Sequence, residues 1–134
     1  MKKINIIIAV LAAGFAVTNI ASAQDSKLPA AATKTGVTFD TDIKPIFDAA
    51  CVKCHDSKKP KQAAGLALDT REGTLKGGKE GKVVTVGDSA KSDLVLTVAH
   101  IGEPQSFMPK GKGAKKLTDE QIGLIRAWID QGAK

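Results

Sequence analysis

The sequence predicts a small all-α domain. Three segments, beginning near residues 42, 93 and 118, carry apolar residues at the three- and four-residue spacing of a buried helix face. Thr118 and Gln121 have the spacing of a capping box, which marks the start of the last of these helices. Val83, Val84 and Val86 are the main candidates for a short extended piece.

Residues 1–23 have the features of a secretory signal peptide. Two lysines precede an apolar run, and Ala21-Ser22-Ala23 is a small-residue cleavage site. The run spans about 14 residues, fewer than the roughly 20 that cross a bilayer, so a retained anchor is the weaker alternative. We expect a periplasmic or otherwise exported protein without stable membrane insertion after cleavage.

Signal removal leaves about 111 residues, the length of one small domain. Two lysines leave with the signal, so the formal net charge falls from +6 to +4. The remaining aromatic residues are Phe39, Phe47, Phe107 and Trp128. A core with so few large side chains is marginal at this size, and small domains often use a disulfide, a metal or a cofactor to compensate.

The chain after the signal is predicted to begin with a flexible lead-in, because residues 24–38 show no periodicity. A first helix is predicted from Asp42, with Pro45 tolerated in its first turn. Its apolar face comprises Ile43, Ile46, Phe47, Ala50, Cys51 and Cys54. The two thiols are therefore expected on one helix face.

Two short helices are predicted after a loop at residues 56–65 that is rich in lysine, glycine and proline. Asp69 is the expected cap of the first, which Gly77 would end. Ser92 or Asp93 would begin the second, which ends near His100.

The last helix follows the capping box and would be ended by Gly132. Its apolar face is formed by Ile122, Ile125, Trp128 and Ile129. Trp128 is expected to pack against the first helix.

Both cysteines of the chain lie in Cys51-Val52-Lys53-Cys54-His55. C-x-x-C-H is the spacing of c-type haem attachment, in which two thiols form thioethers and the imidazole binds iron. A redox dithiol would favour the start of a helix, whereas this pair follows one. A zinc site would need four ligands, so His100 would have to join Cys51, Cys54 and His55. The simplest alternative is an ordinary disulfide between the two cysteines, with His55 on the surface. The spacing and the predicted export favour haem.

The second axial ligand decides between electron transfer and ligand chemistry. Met108 is the only methionine after the signal and lies in a polar, proline-containing loop, where it is well placed to reach a haem face. His100 is the competing ligand, although at a helix end it is more simply a solvated cation or a propionate partner.

Several segments together resemble the class I cytochromes c, and most closely the planctomycete-type cytochrome c domain. They cover residues 39–134 and are Ile43-Lys44-Pro45-Ile46-Phe47, the C-x-x-C-H motif, Gly65-Leu66-Ala67-Leu68-Asp69, Leu75-Lys76-Gly77-Gly78, residues 87–92, the Met-Pro loop and residues 128–133.

This resemblance implies an all-α cytochrome c fold whose first and last helices pack across each other around one covalently bound haem. It implies Cys51 and Cys54 as thioether sites, His55 as proximal ligand and Met108 as distal ligand. Lys110 stands where members often have a second proline after Met-Pro, which adds a charge near the expected haem edge.

Histidine and methionine ligation leaves no coordination site for a substrate and favours electron transfer. The sequence thus predicts a monomeric, periplasmic, monohaem electron carrier that is not an enzyme. An open-site haem protein, either a gas sensor or peroxidase-like, is the alternative if Met108 does not bind iron, and a secreted thiol oxidoreductase is the third candidate.

Two groups of lysines flank the expected haem site. They are Lys53, Lys58, Lys59 and Lys61 in one group and Lys110, Lys112, Lys115 and Lys116 in the other. Such groups would attract an acidic redox partner, although a solvated loop surface explains them equally well. Nucleic acid is a poor partner, because the chain is expected to be exported and its aromatics do not alternate with basic residues.

Overall fold

A computed structural model describes residues 27–134, and within them the fold is built from helices. A π-helical turn, Phe39–Ile43, continues directly into α1 (Lys44–Ala50). The other α-helices are α2 (Arg71–Lys76), α3 (Asp93–Ala99) and α4 (Asp119–Asp130). Short 3₁₀ turns lie at Ala63–Gly65, Ser89–Lys91 and Pro104–Ser106. The helical character predicted from the sequence is therefore confirmed.

The core lies between the first helical segment and α4. Trp128 is fully buried, and its ring lies 5.6 Å from the ring of Phe39, which in turn lies 6.0 Å from the ring of Phe47. The indole Nε1–H of Trp128 donates to the carbonyl of Lys134, which also accepts from the amide of Phe39, at 2.8 Å in each case. The ring partner of Trp128 is therefore Phe39, in the π-helical turn before α1, rather than a residue of the helix predicted from Asp42.

The start and the buried face of α4 agree with the prediction. The hydroxyl of Thr118 accepts from the amide of Gln121 at 3.3 Å, and the Gln121 side chain accepts from the amide of Thr118 at 2.9 Å. This capping box satisfies two amides that would otherwise lack partners at a helix start. The predicted apolar face, Ile122, Ile125, Trp128 and Ile129, is fully buried.

Three local predictions differ from the structure. The first helix ends at Ala50, because Cys51 leaves helical geometry at φ −125° and ψ −42°, so the thiols lie in the turn that follows. The cap of α2 is Thr70, one residue after Asp69, and its hydroxyl accepts from the amide of Gly73 at 3.1 Å. The valines at 83–86 form no strand, and the described residues contain only an isolated bridge between Gly78 and Gly81.

The segment at residues 28–38, which we call the strap, differs most from expectation. It is packed along α4 rather than free, with Leu28 and Val37 buried. The amide of Ala32 donates to the carbonyl of Gly123 at 2.9 Å. A Cβ at Gly123 would stand 2.7 Å from the carbonyl oxygen of Ala30, so glycine permits this close approach. An extended segment has no periodicity from which such packing can be predicted.

Polar side chains also hold the strap. Arg126, almost fully buried, donates to the carbonyl of Pro29 at 2.6 Å and to the hydroxyl of Ser89 at 3.0 Å. Lys34 pairs with Asp42. The bond from Lys34, followed by the bond from the amide of Thr38, lowers the pKa of the Asp42 carboxyl.

No helix within residues 27–134 combines the length and the hydropathy needed to cross a bilayer. The predicted signal peptide and its cleavage site lie outside the described residues.

Candidate functional site

The C-x-x-C-H motif forms a tight turn at the end of α1. The amide of Cys51 donates to the carbonyl of Phe47 at 2.7 Å, which continues the helical pattern for one more bond. The amides of Cys54 and His55 both donate to the carbonyl of Cys51, at 3.1 and 3.0 Å. These two bonds to the carbonyl of Cys51 form a short turn that carries both cysteines and His55.

The two cysteines are free thiols and differ in exposure: Cys51 is half-buried, whereas Cys54 is exposed. Burial raises the pKa of the Cys51 thiol to about 11, because the apolar surroundings disfavour the thiolate. Catalytic dithiols need a thiolate at neutral pH, which a low pKa at a helix start supplies. The environment of Cys51 has the opposite effect, which weighs against a thiol oxidoreductase.

The ring of His55 is oriented by the backbone that follows the motif. Its Nδ1 lies 3.2 Å from the carbonyl oxygen of Leu66, and the carbonyl of His55 accepts from the amide of Leu68 at 2.9 Å. A carbonyl can only accept, so Nδ1 donates the hydrogen, and in the neutral imidazole the lone pair is then on Nε2. This tautomer is the one that leaves Nε2 free to bind a metal.

A second contact ties the loop after the motif to the same segment. Asp69 accepts from the amide of Ser57 at 3.0 Å and from its hydroxyl at 2.6 Å. These bonds, with the side-chain bond the largest contribution, lower the pKa of the Asp69 carboxyl. The sequence pattern suggested a helix cap for Asp69 and missed this role, because the two residues are twelve positions apart and no local motif links them.

Met108 is held by the last turn of α3. Its amide donates to the carbonyl of Thr97 at 3.3 Å, and its carbonyl lies 3.0 Å from Nε2 of His100. The ring of His100 is stacked on Phe107, with centroids 4.7 Å apart and planes inclined by 4°. His100, the alternative distal ligand, therefore uses Nε2 to hold the loop that carries Met108.

These donors fit a c-type haem. Two free thiols share a turn with an imidazole whose Nε2 lone pair is available, and Met108 offers a thioether from a separately anchored loop. Within residues 27–134, no three side chains of histidine, cysteine, aspartate or glutamate are grouped to hold a metal ion. Several apolar side chains that pack against the core are only partly buried, and a porphyrin could cover them further. These include Val52, Leu66, Leu75, Leu96 and Ile101.

Comparison with known proteins bears on the same residues. Residues 51–111, from the first thiol to just beyond Met108, match the family model of Planctomycete cytochrome C. The resemblance predicted from the sequence is confirmed for this segment.

A curated relative, hydrazine synthase subunit alpha of Kuenenia stuttgartiensis, is 29% identical over 123 residues, covering 73% of this chain. The match spans only 15% of the length of that relative. No solved structure matches the chain.

Proposed function

We propose that the protein is a planctomycete-type cytochrome c and acts as an exported electron carrier with one covalently bound haem, because residues 51–111 match that family model. Cys51 and Cys54 would form the thioethers, Nε2 of His55 would bind the iron, and the sulfur of Met108 would be the second iron ligand. The bond between Nδ1 of His55 and the carbonyl of Leu66 carries the proposal, because it leaves Nε2 free to bind iron.

The haem supplies one-electron exchange between ferric and ferrous iron. The residues of this chain supply the rest of the function. With His55 and Met108 both bound to the iron, no site would remain at which a substrate could coordinate, and the protein would act as a carrier rather than an enzyme. Partly buried apolar side chains near the motif would exclude water from the porphyrin.

Export belongs to the same proposal. Haem attachment takes place outside the cytoplasm, and residues 1–23 have the composition of a secretory signal. We further propose that the mature protein is a periplasmic monomer that meets its redox partners by diffusion.

The first test is the visible absorption spectrum of the protein made in a host that matures c-type cytochromes. Methionine bound to ferric iron gives a weak long-wavelength band on a low-spin spectrum, and this band is the expected result for the wild type. A high-spin ferric spectrum would instead support an open-site haem protein. A colourless protein would contradict haem attachment and return the motif to thiol or zinc chemistry.

Replacement of Met108 tests the ligand assignment. Met108→Leu keeps a similar apolar volume and removes the sulfur, so we expect loss of the long-wavelength band, a lower reduction potential and new binding of imidazole to the ferric iron. Val86→Ala, which changes an exposed apolar side chain, is the control and should alter none of these. A Met108→Leu spectrum identical to that of the wild type would show that Met108 is not a ligand.

A further inference from the structure

His100 occupies a backbone position that normally belongs to glycine. It follows α3 with φ 60° and ψ 44°, which is left-handed geometry. The amide of His100 donates to the carbonyl of Thr97 at 3.3 Å, and the amide of Ile101 donates to the carbonyl of Leu96 at 2.9 Å. This pair of bonds defines a Schellman motif, in which the left-handed residue is usually glycine because a Cβ is strained there.

A residue other than glycine keeps this strained backbone conformation only where contacts with the surrounding structure stabilise it. Here the imidazole makes two specific contacts, one with each of two consecutive loop residues. Nε2 lies 3.0 Å from the carbonyl of Met108, and the ring is stacked on Phe107 with nearly parallel planes. A carbonyl only accepts, so His100 donates this bond through Nε2–H.

The two contacts complete the attachment of Met108 to α3. The amide of Met108 already donates to the carbonyl of Thr97, so with the His100 bond both backbone polar groups of Met108 are fixed to one helix end. The preceding loop residues, 102–106, are exposed. Lys110 also donates to the carbonyl of Gln105 within the loop, whereas the contacts that join Met108 to α3 are its two backbone bonds.

Building on the function proposed above, we propose that His100 is a positioning residue, which together with Phe107 holds the loop so that the Met108 sulfur stays on the iron. The His100 side chain itself does not bind the metal. We call the His100 hydrogen bond and the stacked Phe107 ring the clamp. Without the clamp, the loop would open more often and let external ligands reach the iron.

The decisive variant is His100→Gly in the mature haem protein. Glycine adopts the left-handed geometry without strain, so the Schellman motif is kept while the clamp is lost. The apparent affinity of ferric iron for imidazole rises with the fraction of open loop, and loss of one hydrogen bond and one ring contact should raise it about tenfold. The long-wavelength band should weaken in parallel.

Two further variants separate the contacts. In His100→Gln, the side-chain amide reaches about as far as Nε2 and restores the donor, so imidazole affinity should return most of the way to the wild-type value. Phe107→Leu keeps the His100 bond and removes the stacked ring, and we expect an intermediate increase. The control is Gly123→Ala, which should destabilise the fold at the strap, away from the methionine loop, and leave imidazole affinity within about twofold of wild type.

The wild type tests the proposed function, and the variants test the clamp. A wild-type protein without the methionine band overturns both, because His/Met ligation itself is then absent. A wild-type band together with unchanged imidazole affinity in His100→Gly overturns the clamp alone. An equal rise in Gly123→Ala would also overturn it, because the effect would then follow general stability rather than the loop.

Discussion

Cys51 and Cys54 lie three residues apart but in different environments. Cys51 follows the last turn of α1 and packs partly against the core, whereas Cys54 is exposed. Burial raises the pKa of Cys51 to about 11. Covalent attachment would remove this titration, so the difference between the two thiols is a property of the haem-free chain.

We therefore predict unequal thiol reactivity in protein made without haem maturation. At pH 8 only roughly one Cys51 side chain in a thousand would be ionised, and thiolate is the reactive form, so iodoacetamide should modify Cys54 at least tenfold faster than Cys51. Peptide mass spectrometry over a time course measures both rates, and the rates should converge in denaturant. Equal rates in a chain that circular dichroism shows to be helical would contradict the assigned burial.

At this scale the sequence indicates candidate ligands, but it does not indicate the contacts that orient them. The spacing of Cys51, Cys54 and His55 is local, so the chemistry of the motif can be predicted from five residues. The partner of His55 is a backbone carbonyl eleven residues away, and backbone carbonyls have no signature in a sequence. The bond between His100 and the carbonyl of Met108 has no sequence signature either, so the sequence alone leaves His100 as a competing ligand.

Elements of this fold are joined by close backbone approach as well as by apolar side chains. The strap crosses α4 where Gly123 lies, and its bonds to Gly123 and Arg126 fix it to the helix. Gly123 lies inside a helix, where glycine costs about 1 kcal/mol relative to alanine. Contact with the strap offsets that cost, because an alanine Cβ would stand 2.7 Å from the carbonyl oxygen of Ala30.

The effect of Gly123→Ala on the free energy of unfolding should therefore depend on whether the strap is present. In the full mature chain we expect a loss of about 1–3 kcal/mol in the free energy of unfolding, because the Cβ forces the strap backbone away. In a chain that begins at residue 33, the same substitution should be neutral or stabilise by up to about 1 kcal/mol through helix propensity. Denaturant unfolding of the four proteins gives both values, and a similar loss in the two backgrounds would show that the strap is not the cause.

The sequence predicts that α1 and α4 are helices, but it does not predict where α1 ends or how the strap packs. The capping box of α4 and its four buried positions follow a strong local pattern, and both agree with the structure. The apolar spacing of α1 continues into Cys51 and Cys54, but the helix stops at Ala50 and the following residues form turns. Periodicity describes which side chains can share a face, and it does not determine where tertiary contacts end the helix.

The chain has an excess of positive charge. Many of its lysines are exposed in the sequence segments that contain the C-x-x-C-H motif and the Met-Pro loop. The signal-free chain has a formal charge of +4. All eight lysines of the two groups are exposed. Among the described residues, only Lys59 of these eight forms an ion pair, with Asp56 at 3.9 Å. Most of this charge is therefore free to act on a partner.

Association with an acidic redox partner should depend on these charges. Raising the ionic strength from about 0.01 to 0.3 M shortens the screening length from roughly 30 to 6 Å, so the second-order rate of electron exchange should fall about tenfold. Stopped-flow kinetics at several salt concentrations measures this slope.

Two triple variants that remove the same net charge test whether the position of the lysines affects the salt dependence of the rate. Replacing Lys53, Lys58 and Lys61 with glutamine should flatten the salt dependence and slow the reaction at low salt, because these exposed lysines lie within and just after the C-x-x-C-H motif in the sequence. A second triple variant, Lys27, Lys82 and Lys134 to glutamine, removes the same charge from exposed positions outside the two groups and should retain most of the slope. Equal effects of the two variants would mean that only total charge steers the encounter, and a flat wild-type dependence would remove electrostatic steering altogether.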